Sequence, residues 1–445
     1  MKLKPIVASM LVLVSGPVLA AASDNANTQA QLDAMKANVA KLQAIVEQNQ
    51  PGGFTQDGWW NRITLSGLTY IDAIASNKTP ALSSATTNRL VTNLDSFGGA
   101  SGGATTISVT TANLFVDATV SDYTKAHLDF AYNSYPINQT HQYQVAQPLL
   151  NEGYVILGNF NKYPYYLMAG VENVQFGEYD VYPMVYSFTQ LLSQTKANAA
   201  TAGFVDCGTG FNAAIFGFQG IPGQASKVTG ITPHHLNNYG AKVGLKNSYD
   251  NWGYNIDVDY LNNMADVNYV QTTGGSNLNL GGPVYQSTTV TGSLAANGYH
   301  NRVGGIAVDA DLFGGPFDAK LRYVQTLERF SNLDVQYYKN STLQTYGAEP
   351  WAAGLDLGYS FLTMQHQSRV GLSYQQSGEA AGVGAFGIPQ YRYEGQYMVN
   401  ISRFTDLGFD LYYDSDYAGN QLGTTAFGNH HNATTGLIRL GVKFA

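Results

Sequence analysis

Charged side chains recur at every second position in several segments of this chain, with apolar side chains between them. Asp257 and Asp259, for instance, alternate with Ile256 and Val258. Successive residues of an extended strand point to opposite faces, so one face carries charge and the other is apolar. The charged face offers basic side chains at Arg62, Lys242, Lys246, Lys320, Arg322, Arg369, Arg392, Arg439 and Lys443, and acidic ones at Asp257, Asp259, Asp309, Asp311, Asp318, Asp356, Glu394 and Asp410.

The chemistry open to such a face is collective. Patches of opposite charge that face each other across an aqueous pore set up a transverse electric field, which selects solutes by charge and dipole. We therefore interpret these residues as candidates for the lining of a pore, where they are hydrated and need no partner. For any one of them taken singly, the alternative is that it merely solvates the wall.

Sequence motifs of enzymes lack the structural context that would give them meaning here. Residues 99–103 match G-x-S-x-G, but they lie in a Gly/Ser/Thr-rich loop without the strand–turn–helix that exposes a nucleophile. Gly208-Thr209-Gly210 imitates a dinucleotide loop, yet it falls at a predicted hairpin turn. Two histidine pairs, at 234–235 and 430–431, have no spaced carboxylate or cysteine beside them. We predict no enzyme activity, no cofactor and no metal site.

The period-two pattern extends from residue 59 onward and predicts about sixteen antiparallel strands. We place them near 61–75, 106–120, 123–134, 152–161, 164–173, 199–207, 210–219, 237–248, 251–262, 302–313, 316–328, 351–362, 366–377, 391–402, 405–414 and 433–444. Tight turns, such as those at 121–122 and 314–315, alternate with long polar segments at 76–105, 174–198, 263–301 and 415–432. Short turns on one rim and long loops on the other are typical of an outer-membrane barrel.

A sheet that faces lipid has to close on itself, because an unpaired backbone N–H or C=O is costly in hydrocarbon. A soluble β-sandwich or propeller would show the same alternation. Aromatic residues, however, cluster near the predicted strand ends, as at Tyr359, Phe361 and Tyr412, and such girdles are expected at membrane interfaces. We therefore predict an all-β transmembrane barrel, in which one long loop folds inward to narrow the lumen. The sequence does not single out that loop.

The chain before the barrel has a different pattern. Residues 1–20 have the positive start and short apolar run of an export signal. Residues 21–50 predict a short α-helical coiled coil in the periplasm, since a heptad spacing links Leu32, Met35, Val39, Leu42 and Val46. The alternative is a single amphipathic helix that rests on another surface. Residues 51–58 are expected to form a linker, and 59–445 the outer-membrane β-barrel.

Composition narrows the class of protein further. Charged residues make up 12% of the chain, whereas Gly (48) and Tyr (31) are abundant, and a soluble domain usually carries about 25% charged residues. The formal net charge of −8 argues against a nucleic-acid partner. Cys207 has no second cysteine with which to form a disulfide, and we expect it to be a buried or lipid-facing thiol.

One stretch carries a family resemblance. Residues 153–170 read GYVILGNFNKYPYYLMAG and lead to Phe176-Gly177. The pattern G-N-x-N-K-x-P followed by F-G resembles the siderophore-porin family typified by the legiobactin receptor of Legionella. That family is similar to this chain over almost its whole length in the order of signal peptide, short coiled coil and sixteen-stranded barrel. Relatives tend to have a basic residue and a proline before Phe-Gly, whereas this chain has Val-Glu-Asn-Val-Gln.

The resemblance implies uptake of an iron-chelating small molecule, although no binding residues of the family transfer to this chain. We thus expect a pore in the outer membrane of a Gram-negative bacterium that passes small hydrophilic solutes. The most specific form of this expectation is a siderophore porin that imports ferric siderophore. We expect no plug domain, because residues 21–50 are too few to fill a barrel. Two alternatives stay open, a general unspecific diffusion porin and an envelope-anchoring surface barrel.

The expected partners follow from the same reasoning. They are outer-membrane lipid and a small-molecule solute. The heptad pattern also predicts a homo-oligomer, for example a trimer, that associates through the coiled coil.

Overall fold

The structure, a computed structural model, describes ten segments of the chain. These are residues 62–77, 104–132, 149–179, 184–206, 208–220, 236–249, 251–272, 299–384, 387–417 and 432–444. All of them lie in the compact unit Gly58–Ala445. The predicted signal, coiled coil and linker fall outside the described residues. So do Cys207, both histidine pairs and the segment 99–103.

Sixteen antiparallel strands form a closed barrel in which neighbours in sequence are neighbours in space. They are β1 (Ile63–Ser76), β2 (Ala104–Ser121), β3 (Thr124–Tyr132), β4 (Leu149–Gly158), β5 (Tyr165–Asn173), β6 (Lys196–Val205), β7 (Phe211–Phe218), β8 (Asn238–Ser248), β9 (Trp252–Leu261), β10 (Gly305–Gly314), β11 (Phe317–Thr326), β14 (Trp351–Thr363), β15 (His366–Gly378), β16 (Tyr391–Ser402), β17 (Thr405–Ser415) and β18 (Ala433–Phe444). Between β11 and β14, a small separate hairpin consists of β12 (Tyr338–Lys339) and β13 (Thr342–Leu343).

Helical structure is sparse in the described segments. It consists of α1 (Phe188–Ser193) and two 3-10 turns, Met264–Asp266 and Val270–Thr272. No helix in these segments has the length and apolar character needed to cross a bilayer.

The barrel closes where the first strand meets the last. In this ladder Asp72 lies opposite Arg439, and Gly67 lies opposite Phe444. Closure gives every strand two neighbours, so that its backbone N–H and C=O groups can form hydrogen bonds on both sides. Such pairing is required in the hydrocarbon of a membrane, where no water is available. The predicted fold class, an antiparallel barrel of about sixteen strands, is confirmed, and each predicted strand has an observed counterpart. The coiled coil stays a prediction.

The outward side chains form an apolar belt. On β14, Leu355, Leu357 and Tyr359 are exposed, whereas Asp356 between them is buried. Aromatic pairs lie at the rim of tight turns: the ring centroids of Tyr249 and Trp252 are 4.4 Å apart. Such a belt, with aromatic residues at its margin, matches the hydrocarbon and interface layers of a membrane.

The turn between β6 and β7 shows how the tight rim is built. The Asp206 carboxylate accepts the backbone N–H of Gly208 (2.9 Å) and the hydroxyl of Thr209 (2.7 Å). Gly210 has a φ of 78°, and a Cβ there would fall 1.7 Å from the backbone oxygen of Lys246. Gly208-Thr209-Gly210 is therefore a hairpin turn that needs glycine at its end.

Connections on the other rim pack an apolar core inside the barrel. One buried cluster joins Leu192 of α1 to Met264 after β9, Phe330 after β11 and Val383 after β15. Inward residues of the wall, such as Phe216 on β7, belong to the same cluster. Because protein interiors pack densely, these residues fill part of the space inside the barrel.

Candidate functional site

The β5–β6 loop, residues 174–195, leaves β5 along the inner wall of β8 and β9. The backbone N–H of Gly177 donates to Asp259 Oδ2 on β9 (2.8 Å), and Glu178 forms an ion pair with Lys242 on β8 (2.6 Å). Gly177 has a φ of 80°, and a Cβ there would lie 2.7 Å from Ser193 Oγ. The first part of the loop is thus fixed to the wall by charged side chains.

The same loop then contacts strands on the far side of the barrel. The backbone N–H of Met184 donates to Asp410 Oδ2 on β17 (3.1 Å), and Arg392 on β16 donates to the backbone oxygen of Tyr186 (3.1 Å). The strands β10, β11 and β14–β16 separate β9 from β17 in the barrel. The described residues of the β5–β6 loop, 174–179 and 184–195, are therefore held to two separate parts of the inner wall, which makes this loop a candidate constriction.

The helix α1 anchors the end of this loop in the apolar core. Ser187 caps it, since its hydroxyl accepts the backbone N–H of Gln190 (3.1 Å). The backbone N–H of Phe188 donates to Gln375 Oε1 on β15 (2.8 Å). Phe188 and Leu192 are fully buried, and each such side chain contributes about 1.5–3 kcal/mol of burial free energy.

The surroundings of two tyrosines of the loop raise the pKa of their hydroxyls further above neutral pH. Burial raises the pKa of the Tyr179 phenol, whose hydroxyl donates to the backbone oxygen of Phe176 (2.9 Å). Burial also raises the pKa of Tyr186, although Arg439 opposes the shift. Both hydroxyls therefore stay protonated around neutral pH.

The expectation that the wall charges are hydrated and need no partner is wrong for most of the candidates. Arg322 is 1% exposed, and its guanidinium lies 2.6 Å from Asp311 and 3.4 Å from Asp309. The β5–β6 loop and the apolar core keep water from this part of the wall. A charge in such a place has to be paired, because leaving it isolated costs several kcal/mol.

The other candidates are distributed around the barrel interior. Ion pairs join Lys242 to Asp257 (3.6 Å), Arg392 to Asp414 (2.6 Å), Arg439 to Asp72 (2.6 Å), Lys443 to Asp406 (3.0 Å) and Arg369 to Asp318. Further buried members of the set are Asp259, Asp309, Lys320, Asp356, Glu394 and Asp410. Lys246 is exposed, and Arg62 donates to the backbone oxygen of Val120 (3.1 Å).

Several residues that hold the site together were not among the candidates. Asp72 and Asp414 lie in the alternating pattern of β1 and β17 and could have been found from it. Glu178 and Gln375 could not, because one lies in a loop and the other is uncharged. Their contacts with Lys242 and the backbone of Phe188 are visible only in the folded chain.

The family-like stretch 153–177 forms a hairpin and the start of the β5–β6 loop. The backbone oxygen of Asn159 accepts the N–H groups of Lys162 (2.9 Å) and Tyr163 (2.8 Å). Gly170 has a φ of 150°, and a Cβ there would fall 2.1 Å from the backbone oxygen of Gly153. Phe176 is fully buried in the apolar core. The motif residues thus shape a turn, a close strand contact and the entry to the loop.

The closed barrel of sixteen antiparallel strands is a fold that solved outer-membrane porins and channels share. The chain is similar to Salmonella typhi OmpF in complex with daunomycin (TM-score 0.50, 13% identity, 86% of this chain and 97% of the other). It is also similar to an anion-selective porin from Comamonas acidovorans (TM-score 0.52, 12% identity, 86% of this chain and 99% of the other). A third similar structure is the DcaP channel of Acinetobacter baumannii (TM-score 0.50, 11% identity, 86% of this chain and 97% of the other). At these identities the likeness shows the shared fold alone.

Relatives by sequence have no described function in their names. A UPF0422 protein of Coxiella burnetii is 27% identical over 277 residues, which is 62% of this chain and 53% of the relative. A UPF0422 protein of Legionella pneumophila strain Lens is 27% identical over 328 residues, 73% of this chain and 56% of the relative. The chain spans about half the length of these curated relatives. No protein-family model matches it.

Proposed function

We propose that this barrel is an outer-membrane channel through which small hydrophilic solutes diffuse, with the β5–β6 loop as its constriction. A barrel of sixteen strands is too wide for inward side chains alone to fill. The observation that carries the proposal is that the described residues of this loop, 174–179 and 184–195, are held to Asp259 on one part of the inner wall and to Asp410 on another. A barrel that served only as an envelope anchor would gain nothing from a loop held across its lumen.

The finer proposal is that the solute is a ferric siderophore. Its support is the resemblance of residues 153–177 to siderophore porins, together with relatives in Legionella and Coxiella. Under the same proposal, residues 59–445 lie in the outer membrane and 21–50 lie in the periplasm. A homo-oligomer then forms through the heptad positions of 21–50. The wall charges contribute to the choice of solute as a group.

Liposome swelling with sugars of increasing size tests the channel directly. We expect rapid swelling with small sugars and a sharp size limit set by the loop. Purified ferric hydroxamate and ferric catecholate siderophores are then added one at a time during conductance recording. Block at micromolar concentration by one of them supports the siderophore proposal, whereas indifference to all supports a general porin. Folded barrel that produces no swelling contradicts the channel itself.

A further inference from the structure

The inner wall of β2–β4 carries a row of three rings. Phe115, His127 and Tyr154 occupy inward positions on three successive strands, with His127 opposite Tyr154 in the ladder. The ring centroids of Phe115 and His127 are 6.1 Å apart, and those of His127 and Tyr154 are 5.0 Å apart. In both pairs the ring planes are within 27° of each other. The rings therefore form one continuous strip across the wall.

The described residues of the β5–β6 loop, 174–179 and 184–195, form no hydrogen bond with β2, β3 or β4, the strands that carry this strip. The described residues of the loop form hydrogen bonds with β5, β8, β9 and β15–β17, while the described loops leave all three rings partly exposed. The side chain of Asp117, beside His127, is 54% exposed. A solute moving along this side of the lumen would meet the strip.

Carboxylates surround the strip. Asp117 Oδ1 lies 2.7 Å from His127 Nδ1, and Asp129 and Glu152 lie opposite each other on β3 and β4, two residues from His127 and Tyr154. Two inward lysines lie nearby. Lys196 is engaged by Glu152 (3.7 Å) and by the side chain of Asn151, and the exposed Lys125 lies two residues from His127 on the same face of β3. On this part of the inner wall the carboxylates of Asp117, Asp129 and Glu152 thus outnumber the two lysines.

Resting on the channel function proposed above, we propose that Phe115, His127 and Tyr154, with Asp117, form a binding subsite for organic cations that carry a flat apolar group. Ring faces and edges give the apolar group a surface, and a cation near an aromatic ring gains about 0.5–2 kcal/mol. The exposed carboxylate supplies the countercharge. Among iron chelates, such a subsite favours positively charged complexes over anionic ones.

Block of the ion current in planar bilayers tests this subsite with three simple probes. Benzyltrimethylammonium combines ring and positive charge, tetramethylammonium lacks the ring, and benzenesulfonate reverses the charge. At about 0.1 M KCl, where charges are screened beyond ~10 Å, we expect benzyltrimethylammonium to block at concentrations about tenfold lower than either of the others. Tyr154→Leu and Asp117→Asn should each weaken that block about fivefold. Tyr239→Leu, which changes an exposed tyrosine on the lipid face of β8, should leave it unchanged.

The outcomes separate this inference from the channel function. Suppose that the protein conducts but benzenesulfonate blocks the current as well as benzyltrimethylammonium does, or that benzyltrimethylammonium blocks Tyr154→Leu as well as wild type. Either result overturns the subsite and leaves the channel function standing. If the protein gives no ion current in the bilayer, the subsite is tested by calorimetric titration of benzyltrimethylammonium into the detergent-solubilised full chain. A heat of binding in wild type, with an affinity about fivefold weaker in Asp117→Asn, supports the subsite. No heat of binding in wild type rejects it.

Discussion

Asp410 accepts the backbone N–H of Met184, a contact between positions 226 residues apart in sequence. Removing the acceptor leaves a buried N–H unsatisfied, which costs about 1–3 kcal/mol. We expect Asp410→Ala to free this end of the loop and to give larger, noisier single-channel currents. Asp406→Ala is the matched control, since Asp406 lies on the same strand and pairs with Lys443 (3.0 Å) instead of the loop. Identical currents from Asp410→Ala and wild type would argue against the anchoring role.

Gly170 is the second residue whose role can be tested alone. Its φ of 150° and the 2.1 Å between a Cβ there and Gly153 O leave no room for a side chain. Gly170→Ala should cost at least about 1–3 kcal/mol and lower the temperature at which the folded band disappears in a heat-modifiability gel. Gly395→Ala should not, because the nearest side-chain atom would be 3.9 Å away, on Leu372. Equal melting of the two variants would contradict this account.

At this scale the sequence predicted the type of residue but not its partner. Period-two alternation puts Asp309 and Arg322 on the same face of neighbouring strands, because strand geometry is local. Whether water or another side chain satisfies them depends on the loop above, which is distant in sequence. Pore lining by the whole charged set therefore stays a prediction, whereas pairing is observed for Arg322.

At the scale of elements, α1 is the part of the loop that depends most on apolar packing. Leu192 is fully buried, and Leu192→Ala should cost about 2–5 kcal/mol. We expect faster hydrogen exchange of the backbone amides in 184–195, with the barrel strands unaffected. Gln190→Ala, at a half-buried position on the same helix, serves as control and should exchange like wild type. Unchanged exchange in Leu192→Ala would show that hydrogen bonds alone hold the loop.

The strands could be predicted far better than the loops. Alternation and turn chemistry located sixteen strands, because each depends on neighbours close in sequence. They missed the hairpin β12–β13, which has two residues in each strand and so no period to detect. They also did not single out the loop that contacts both β9 and β17. Its identity depends on acceptors such as Asp259 and Gln375, which come together only when the barrel has closed.

At the scale of the whole molecule, the apolar belt predicts a depth-dependent response to charge. Leu372 lies at the centre of β15 and Leu362 near the end of β14, and both are exposed. Arginine on a lipid face costs about 2–4 kcal/mol at the bilayer midplane and about 0–1 kcal/mol near its surface. We therefore expect Leu372→Arg to destabilise the barrel in lipid by several times more than Leu362→Arg. Denaturant unfolding in vesicles measures both, and equal costs would rule out a membrane-spanning belt.

Conductance of the purified, folded chain in a planar lipid bilayer tests the whole account most directly. A closed barrel with a loop across its lumen predicts discrete ion-current steps that grow in Asp410→Ala and stay constant in Asp406→Ala. Barrel that is inserted and heat-modifiable, yet electrically silent in both wild type and Asp410→Ala, would contradict it.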